Sequence, residues 1–539
     1  MNILLGLIFL PILFGIIFYI AKVHNQWIVL LAQVTLILMA IASFLRIKGT
    51  GSLNMVVGQW PVGKGVGLKL DYLSAALLML TTFLYFLFFL YDWGKLKDSL
   101  YVFLLFTLQG ILCALLVSND LFNIFVLMEI STVLITILMV FKKHSSSYYD
   151  ALIYMLTSIV GMSFFLLAIG YIYRTYGVFD LELFNDAIQN TQLTKSTLLI
   201  YSLLFTGITF KIGFITIFAW FPRAHGNKSA PSVVSGILSG IYINLMFVYY
   251  IKFQNIFIPV LDTRQLFIWI GIFTSFFGGI LALIQIDAKK LLAYSTVSQV
   301  GFIFLGLNLD KTLGYYGSVY HIMSHSMFKV LLFLITGIIL NMYNTRKLSE
   351  IKGVMREMPV AGIGIILGAL GVTGAPFFNG SIGKYLITQS TDNIGLEVLI
   401  YGLNFLTILY LSKFCMILFG KSTVQKSIAF SKKFVIIILG TLCLMGGVFA
   451  PVVIEFLFDY KVTIDLLSYI LKAVIYLLSA AGGLYLYKYV LRRVTIIGGF
   501  RELDIPFNFI MMMVFALFFI IFGYVYIAYG TAVFLYNQL

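Results

Sequence analysis

Residues 358–390 read MPVAGIGIILGALGVTGAPFFNGSIGKYLITQS, and Lys384 is the one charged residue in this stretch. A helix needs about 20 consecutive apolar residues to cross a bilayer, so the stretch is long enough to span a membrane. Helix-weakening residues crowd together just before the lysine, namely Gly371, Gly374, Pro376, Gly380 and Gly383. Proline removes a backbone donor and glycine destabilises a helix, so we predict a transmembrane helix that is broken inside the membrane.

Apolar runs of this kind fill the rest of the chain. Of 539 residues, 61% are hydrophobic and 11% are charged, whereas a soluble domain carries roughly 25% charged residues. These values exclude a water-soluble globular enzyme, and also a disordered chain, which needs low hydrophobicity and high charge. The runs are too long for the alternating strands of an outer-membrane barrel. The predicted fold class is therefore all-α, a polytopic bundle of transmembrane helices.

About sixteen membrane spans are predicted, at 3–22, 27–45, 71–91, 99–118, 121–141, 149–173, 197–221, 231–251, 265–286, 291–309, 314–343, 358–390, 395–420, 433–458, 464–487 and 506–535. We number the loops between them from one. The odd loops hold 21 Lys and Arg residues and the even loops hold 10. Because cytoplasmic loops are enriched in these residues, we predict that odd loops are cytoplasmic and that both termini lie outside. The net charge of +15 therefore reflects topology, and the basic residues form no face typical of nucleic-acid binding.

Five lysines remain inside the apolar runs, and Glu129 is the acid that lies deepest in one. A charge at the bilayer centre costs about 2.5–3.5 kcal/mol, so such residues usually face the bundle interior and serve an ion or proton path. The five lysines are Lys211, Lys329, Lys384, Lys413 and Lys472. For Lys413 and Lys472 we favour a structural interpretation, in which the long side chain reaches towards a helix end.

Glu129 and Lys211 are predicted to form a buried pair. At about 6 Å and an effective dielectric of about 20, their attraction is near 3 kcal/mol. Burial disfavours the charged lysine while the carboxylate favours it. Moving the carboxylate or its proton would then cause the lysine to bind or release a proton. The alternative is a static ion pair that only fixes packing.

His321, His325 and Lys329 are spaced i, i+4 and i+8, so they share one helix face. Histidine changes charge near neutral pH, which favours a proton relay; the alternative is a pair of satisfied core histidines. Zinc is disfavoured because no third ligand stands nearby in sequence and Lys329 adds a positive charge. We predict neither a metal nor a cofactor.

A second interrupted span lies five spans before the first one described. It carries Gly207, Lys211 and Gly213, and Pro222 follows directly after it. Two broken spans, each with a lysine and separated by an odd number of spans, indicate an inverted internal repeat. Alternatively, the glycines merely allow close helix packing.

Several of these motifs match a known family. From about residue 70 to 420 the sequence resembles the antiporter-like proton-pumping subunits of respiratory complex I, Mrp-type sodium/proton antiporters and membrane-bound hydrogenases. The matching segments are Asp71–Ser74, Glu129, Lys211, Trp220–His225 with Ala230–Pro231, Asp287–Ser295, the His321, His325 and Lys329 face, and Gly374–Pro376 leading to Gly380 and Lys384.

The resemblance implies a fourteen-helix core with two inverted five-helix repeats, each containing a broken helix, and leaves about two extra C-terminal helices. The corresponding divisions are transmembrane helices with a short external hairpin at 1–98, a first repeat at 99–253, a second repeat at 265–420 and C-terminal helices at 421–539.

The resemblance also implies roles for the buried residues. Glu129 and Lys211 would form the ion pair of one half-channel. The helix face of His321, His325 and Lys329 would link it to the second half, where Lys384 would be the terminal proton donor or acceptor. Many family members carry Lys or His at the position of Asn244. Because asparagine cannot titrate, either water bridges this position or this half is connected differently.

The expected function is proton translocation, and exchange of protons for sodium is a further possibility within it. The chain would be a membrane subunit of a larger respiratory or Mrp-type complex in a prokaryotic cell membrane. Its partners would be other membrane subunits, the bilayer, protons and sodium, and not nucleic acid. One alternative is a subunit of a bicarbonate or other solute transport pair. Quinone redox chemistry by the chain itself is disfavoured, because haem motifs, a CxxC pair and a dinucleotide fingerprint are lacking. The chain would then be a non-redox subunit of a translocase or antiporter.

Overall fold

The computed structural model describes residues 3–22, 25–141, 145–190, 193–214, 220–226, 230–422, 427–491 and 506–536. Within these ranges the chain forms α-helices and one two-stranded hairpin. Seven of the basic residues used for the topology prediction lie outside the described residues: Lys142, Lys143, Lys228, Lys426, Arg492, Arg493 and Arg501.

The first eleven helices run from the N-terminus to the middle of the chain. They are α1 (Ile3–Ile20), α2 (Gln26–Thr50), α3 (Tyr72–Tyr91), α4 (Ser99–Val117), α5 (Leu121–Met139), α6 (Ser145–Tyr176), α7 (Leu181–Gln189), α8 (Lys195–Ile212), α9 (Trp220–Gly226), α10 (Ser232–Ile237) and α11 (Ile243–Phe257). A π-helical turn, Leu238–Tyr242, joins α10 to α11 within one span.

The remaining eleven helices complete the chain. They are α12 (Arg264–Ile284), α13 (Ala288–Leu307), α14 (Thr312–Tyr343), α15 (Val354–Glu357), α16 (Pro359–Thr373), α17 (Asn379–Gln389), α18 (Ile394–Cys415), α19 (Phe430–Val448), α20 (Ala450–Phe458), α21 (Leu466–Tyr489) and α22 (Phe507–Tyr536).

Fourteen membrane spans are found among the described residues, by helix length and apolar composition. The other two predicted runs each contain a break. One run contains α8, which ends at Gly213 (φ 84°), and the other contains α16, which ends at Gly374 (φ 75°). Both glycines adopt the left-handed conformation that side-chain-bearing residues avoid. The broken helices predicted from glycine and proline are therefore present, while the division into inverted repeats stays a prediction.

A short hairpin lies between α2 and α3. Strand β1 (Leu53–Val56) pairs antiparallel with β2 (Gly67–Leu70). The short hairpin expected within residues 1–98 is thus present. It packs on the next even loop, where the Asn119 amide donates to the Gly67 carbonyl over 2.9 Å.

Contacts between loops join loops of the same parity. Ion pairs that connect even loops include Lys48–Asp459 at 3.2 Å, Lys69–Glu182 at 2.5 Å and Lys311–Asp392 at 2.6 Å, and Arg264 also pairs with Asp310. Odd loops meet where Arg346 pairs with Asp287 at 2.7 Å, where the Gly353 amide donates to the Phe419 carbonyl at 3.0 Å, and where Gln26 donates to the Trp93 carbonyl at 2.9 Å. For the described loops that they join, these contacts agree with the predicted alternation of the chain between two sides.

The two C-terminal helices cover different broken helices. Helix α22 packs along α6 and α8, and the Phe515 and Phe164 rings lie 5.4 Å apart. Helix α21 packs along α18 and hydrogen-bonds to both α16 and α17. The helix that precedes the first break thus packs against α22, and the two half-helices around the second break contact α21.

Candidate functional site

Lys211 lies in the last turn of α8, next to the break. Its Nζ donates to Thr132 Oγ1 at 2.7 Å and to Ser158 Oγ, and it lies 3.4 Å from Glu129 Oε1. The partial negative charge at a helix C-terminus also favours a cation here. The side chain of Lys211 is 2% exposed, whereas that of Glu129 is 25% exposed. The predicted pair is thus asymmetric, with an enclosed lysine and a carboxylate at the rim of the bundle.

The helix that carries Asn244 touches both halves of the site. Towards Lys211, the Tyr242 hydroxyl accepts from Ser131 at 3.4 Å, and Ser131 is adjacent to Thr132 on α5. Tyr242 and Asn244 lie in and just after the π-helical turn. Such turns occur frequently at functional sites because they rotate side chains relative to an α-helix.

Asn244 holds His325 in a defined orientation. Its Nδ2 donates to Ser326 Oγ at 2.6 Å and to the Ile322 carbonyl at 3.2 Å, which turns Oδ1 towards His325 Nδ1 at 3.3 Å. An amide oxygen only accepts, so Nδ1 of the neutral ring carries the proton. His325 Nε2 has no hydrogen-bond partner among the described residues and can accept a proton.

His321 has the complementary arrangement. Its Nε2 lies 3.1 Å from Gln299 Oε1, and Gln299 donates its own amide to Thr407 and Tyr410, at 3.3 Å in each case. Nε2 is therefore the protonated nitrogen, and Nδ1 has no hydrogen-bond partner in the described part of the chain. Over the same residues, no group of three or more His, Cys, Asp and Glu side chains could hold a metal ion.

Lys329 continues the same face of α14, two turns beyond His321. It is fully buried and donates to Ser295 Oγ and to the Leu292 carbonyl at 3.4 Å, both on α13. A hydroxyl and a carbonyl solvate this ammonium, and neither neutralises its charge.

Lys384 lies on α17, just after the second break. Its Nζ donates to the Val372 carbonyl and to Asn404 Oδ1, both at 2.7 Å. Val372 belongs to the last turn of α16, whose carbonyls have no partner within that helix. Two features require glycine at position 374. Its φ is positive, and a Cβ at this position would lie 2.9 Å from Lys384 Cδ. The break thus creates the acceptor that holds the lysine.

The helices of Lys384 and His321 are in close contact. A Cβ at Gly383 would lie 3.0 Å from His321 Cβ. Lys384 also faces a cavity of about 50 Å³, lined in part by Phe302, Tyr385 and Asn404. Such a space is large enough to hold water.

Comparison with known protein families gives a direct match. The family model "NADH:quinone oxidoreductase/Mrp antiporter, TM" matches residues 118–410, which is more than half of the chain. The chain belongs to this family. The matched segment contains all six of the residues predicted for the site: Glu129, Lys211, His321, His325, Lys329 and Lys384.

Individual members of the NADH:quinone oxidoreductase/Mrp antiporter family resemble the chain over most of its length. NADH-quinone oxidoreductase subunit N from Desulforudis audaxviator is 29% identical over 359 residues, which cover 64% of this chain and 70% of the relative. A Staphylococcus haemolyticus protein named as antiporter subunit mnhD2 is 25% identical over 476 residues, which cover 84% of this chain and 94% of the relative.

Solved structures show the same fold. A chain of the Mrp complex from Dietzia sp. DQ12-45-1b superposes with a TM-score of 0.78 at 17% identity, covering 93% of this chain and 100% of its own length. A chain of respiratory complex I from Thermus thermophilus with bound NADH gives 0.74 at 19% identity, covering 88% of this chain and 99% of its own length. The predicted membrane fold and family are confirmed.

The structure adds residues to the site that the sequence pattern did not reveal. Thr132 and Ser158 enclose Lys211, and Asn404 holds Lys384. Residues with hydroxyl and amide side chains are common in transmembrane helices, so residue type alone could not identify these three as part of the site. Lys472, for which the sequence favours a structural interpretation, lines the cavity of Lys384.

Proposed function

We propose that the chain is a proton-translocating membrane subunit of a multi-subunit respiratory or Mrp-type complex in a prokaryotic cell membrane. One observation carries this proposal: buried titratable side chains occur at both helix breaks and on the helix between them. Membership of the NADH:quinone oxidoreductase/Mrp antiporter family supports it. Charges enclosed in a membrane protein are expensive and typically serve an ion or proton path.

The entry of the path is the pair of Glu129 and Lys211. At the observed 3.4 Å, the two charges attract by roughly 5 kcal/mol for an effective dielectric of about 20. Because Glu129 lies at the rim, a charge on a neighbouring subunit can weaken this attraction. Lys211 then holds its proton less tightly and passes it inwards.

The middle of the path is formed by His325 and His321. Each ring presents one nitrogen with a hydrogen-bond acceptor and one without a partner among the described residues. A ring that accepts a proton at one nitrogen and releases it from the other moves the proton across itself. Asn244 takes no proton in this scheme, and it positions His325 for a proton arriving through water.

Lys329, on the connecting helix, and Lys384, at the second break, are the remaining lysines of the path. Both are buried cations with neutral partners, so each can exist with or without its proton. The positive charge of one disfavours the positive charge of the other. Loading Lys329 therefore promotes release from Lys384.

The topology and partners follow from the surface of the chain. The excess of basic residues in odd loops supports a topology with cytoplasmic odd loops and both termini outside. Helix α21 exposes large apolar side chains, including Leu467 at 77% and Leu478 at 69%. Together with the relatives named as subunits, this surface supports contacts with lipid and with other membrane subunits.

The proposal is tested by proton transport in proteoliposomes that contain the intact complex. We expect Lys329→Met to lower proton flux by about tenfold or more, as is typical for loss of a proton-transfer group. Lys64→Met, on the exposed hairpin, serves as the control and is expected to leave flux unchanged. Measuring sodium flux in the same vesicles decides whether sodium is exchanged. Full proton flux in an assembled Lys329→Met complex would contradict the proposal.

A further inference from the structure

Helix α21 brings a second lysine to the cavity of Lys384. Lys472 lines this cavity together with Tyr469 and Tyr476 of the same helix. Its Nζ is buried without a hydrogen-bond acceptor among the described residues, and it lies 4.8 Å from the centre of the Tyr385 ring. A buried ammonium without acceptors is unfavourable unless the group can lose its proton or contact water in the cavity.

Lys472 is fixed by the contacts of its neighbours with the broken helix. The Tyr476 hydroxyl lies 2.8 Å from Thr373 Oγ1, at the end of α16, and the Tyr469 hydroxyl accepts from the Phe377 amide at 3.3 Å, within the break. Residues three and four positions apart share one helix face, so Lys472 lies between these two contacts. The face of α21 that holds the break together is thus the face that carries the lysine.

An acidic residue lies beyond Lys472 on the side of the even loops. Glu397, in the first turn of α18, is partly exposed and accepts from the Tyr401 hydroxyl at 3.2 Å. It is close enough to Lys472 to act on it electrostatically. A proton leaving Lys472 therefore has a carboxylate on its way to the even side.

We propose that Lys472 is the proton acceptor that follows Lys384, so that α21 completes the exit of the path. This inference rests on the proposed function. The Lys384 ammonium gives one proton, through water in the cavity, to the neutral amine of Lys472. Lys384 becomes neutral and Lys472 becomes an ammonium. Two ammonium groups beside one small cavity repel each other, so recharging of Lys384 drives the proton from Lys472 towards Glu397.

The test compares two substitutions in the intact complex, reconstituted in proteoliposomes. Lys472→Met is expected to lower proton flux by about tenfold. Lys472→Arg is expected to be equally slow, because a guanidinium keeps its proton under these conditions. Lys413→Met is the matched control, since Lys413 also lies in a transmembrane helix but donates to the Leu283 carbonyl at 2.7 Å, away from the cavity. It is expected to retain full flux.

Two results would overturn the inference. Full flux in Lys472→Met shows that the residue carries no proton, and full flux in Lys472→Arg shows that only a fixed charge is needed. If Lys472→Met does not assemble, Lys472→His replaces it. Histidine titrates roughly four pH units below lysine, so proton transfer through residue 472 predicts a pH profile shifted to lower pH, and an unchanged profile overturns the inference.

The proposed function is judged separately with Lys211→Ala. Loss of flux in Lys211→Ala together with full flux in Lys472→Met removes the role of Lys472 and leaves the proposed function in place. Full flux in both variants contradicts both.

Discussion

Asn244 lies between the two halves of the proposed path and cannot itself carry a proton. Its contacts give it a different role, because its amide oxygen faces His325 Nδ1 at 3.3 Å while its amide nitrogen is held by Ser326 and backbone carbonyls. At the position where the resemblance implies a titratable relay residue, asparagine instead fixes the orientation of a histidine. The relay position is occupied by a residue that selects the tautomer of its neighbour.

Asn244→Leu tests this role at nearly constant volume. The substitution leaves His325 Nδ1 without its partner, while the Ser326 hydroxyl keeps its hydrogen bond to the Ile322 carbonyl. An unpaired buried polar group costs about 1–3 kcal/mol. We expect roughly tenfold slower proton flux in the assembled complex. Asn244→His restores a titratable group at this position and should keep flux near that of the wild type. Wild-type flux in Asn244→Leu would show that His325 needs no orientation.

Thr132→Val tests the hydroxyl groups around Lys211. Valine keeps the shape of threonine but removes the 2.7 Å hydrogen bond to the ammonium. A hydrogen bond to a charged group contributes about 1.5–3 kcal/mol, so we expect lower thermal stability of the assembled complex and slower flux. Thr136→Val, one turn along α5, removes a hydrogen bond to the Thr132 carbonyl without touching the lysine. If Thr132→Val and Thr136→Val lower proton flux and thermal stability equally, the effect comes from a change in helix α5 and not from the hydrogen bond to Lys211.

At the scale of helices, the breaks determine where the lysines are held. The end of α16 exposes the Val372 carbonyl to Lys384, while α8 ends just after Lys211. The lysines at the two breaks thus differ in their hydrogen-bond partners. Lys384 caps the preceding half-helix, and Lys211 reaches hydroxyls on α5 and α6.

Gly374→Ala tests the second break. The left-handed conformation and the 2.9 Å approach to Lys384 Cδ make any side chain unfavourable, at about 1–3 kcal/mol for strain alone. We expect reduced stability of the complex and loss of most proton flux, because the lysine must move. Gly402→Ala is the control, since its added methyl would contact nothing within 4 Å. Normal flux in Gly374→Ala would show that the Lys384 position does not depend on the break.

Local sequence patterns predicted these helices well, and long-range contacts could not be predicted in the same way. Gly374 and Pro376 signal a break because their effect on the backbone is local. The i, i+4 spacing of His321 and His325 likewise fixes a shared face. Lys472 carries no such local pattern. Its role depends on how α21 packs against the break, which is decided by tertiary contacts with α16 and α17.

At the scale of the whole molecule, same-parity contacts between loops define two sides of the bundle. The even-side pairs and the odd-side pairs involve separate sets of loops. These contacts place the described loops that they join on the same side of the bundle. The assignment of the odd side to the cytoplasm rests on its excess of Lys and Arg.

Labelling of single cysteines with a membrane-impermeant maleimide tests that assignment in intact cells. In a background without Cys113, Cys415 and Cys443, we expect Lys64→Cys in the hairpin to react from outside. Lys347→Cys, on an odd loop and 63% exposed, should react only after the membrane is opened. The reverse pattern would place both termini in the cytoplasm.

The central claim is that protons cross the membrane through the buried residues of this chain. The most direct measurement is proton uptake by vesicles that contain the assembled complex, comparing the wild type with Lys211→Ala. Loss of a proton-transfer group predicts a decrease of about tenfold or more, while Lys347→Ala on the surface remains at the wild-type rate. Full proton uptake by an assembled Lys211→Ala complex would contradict the account.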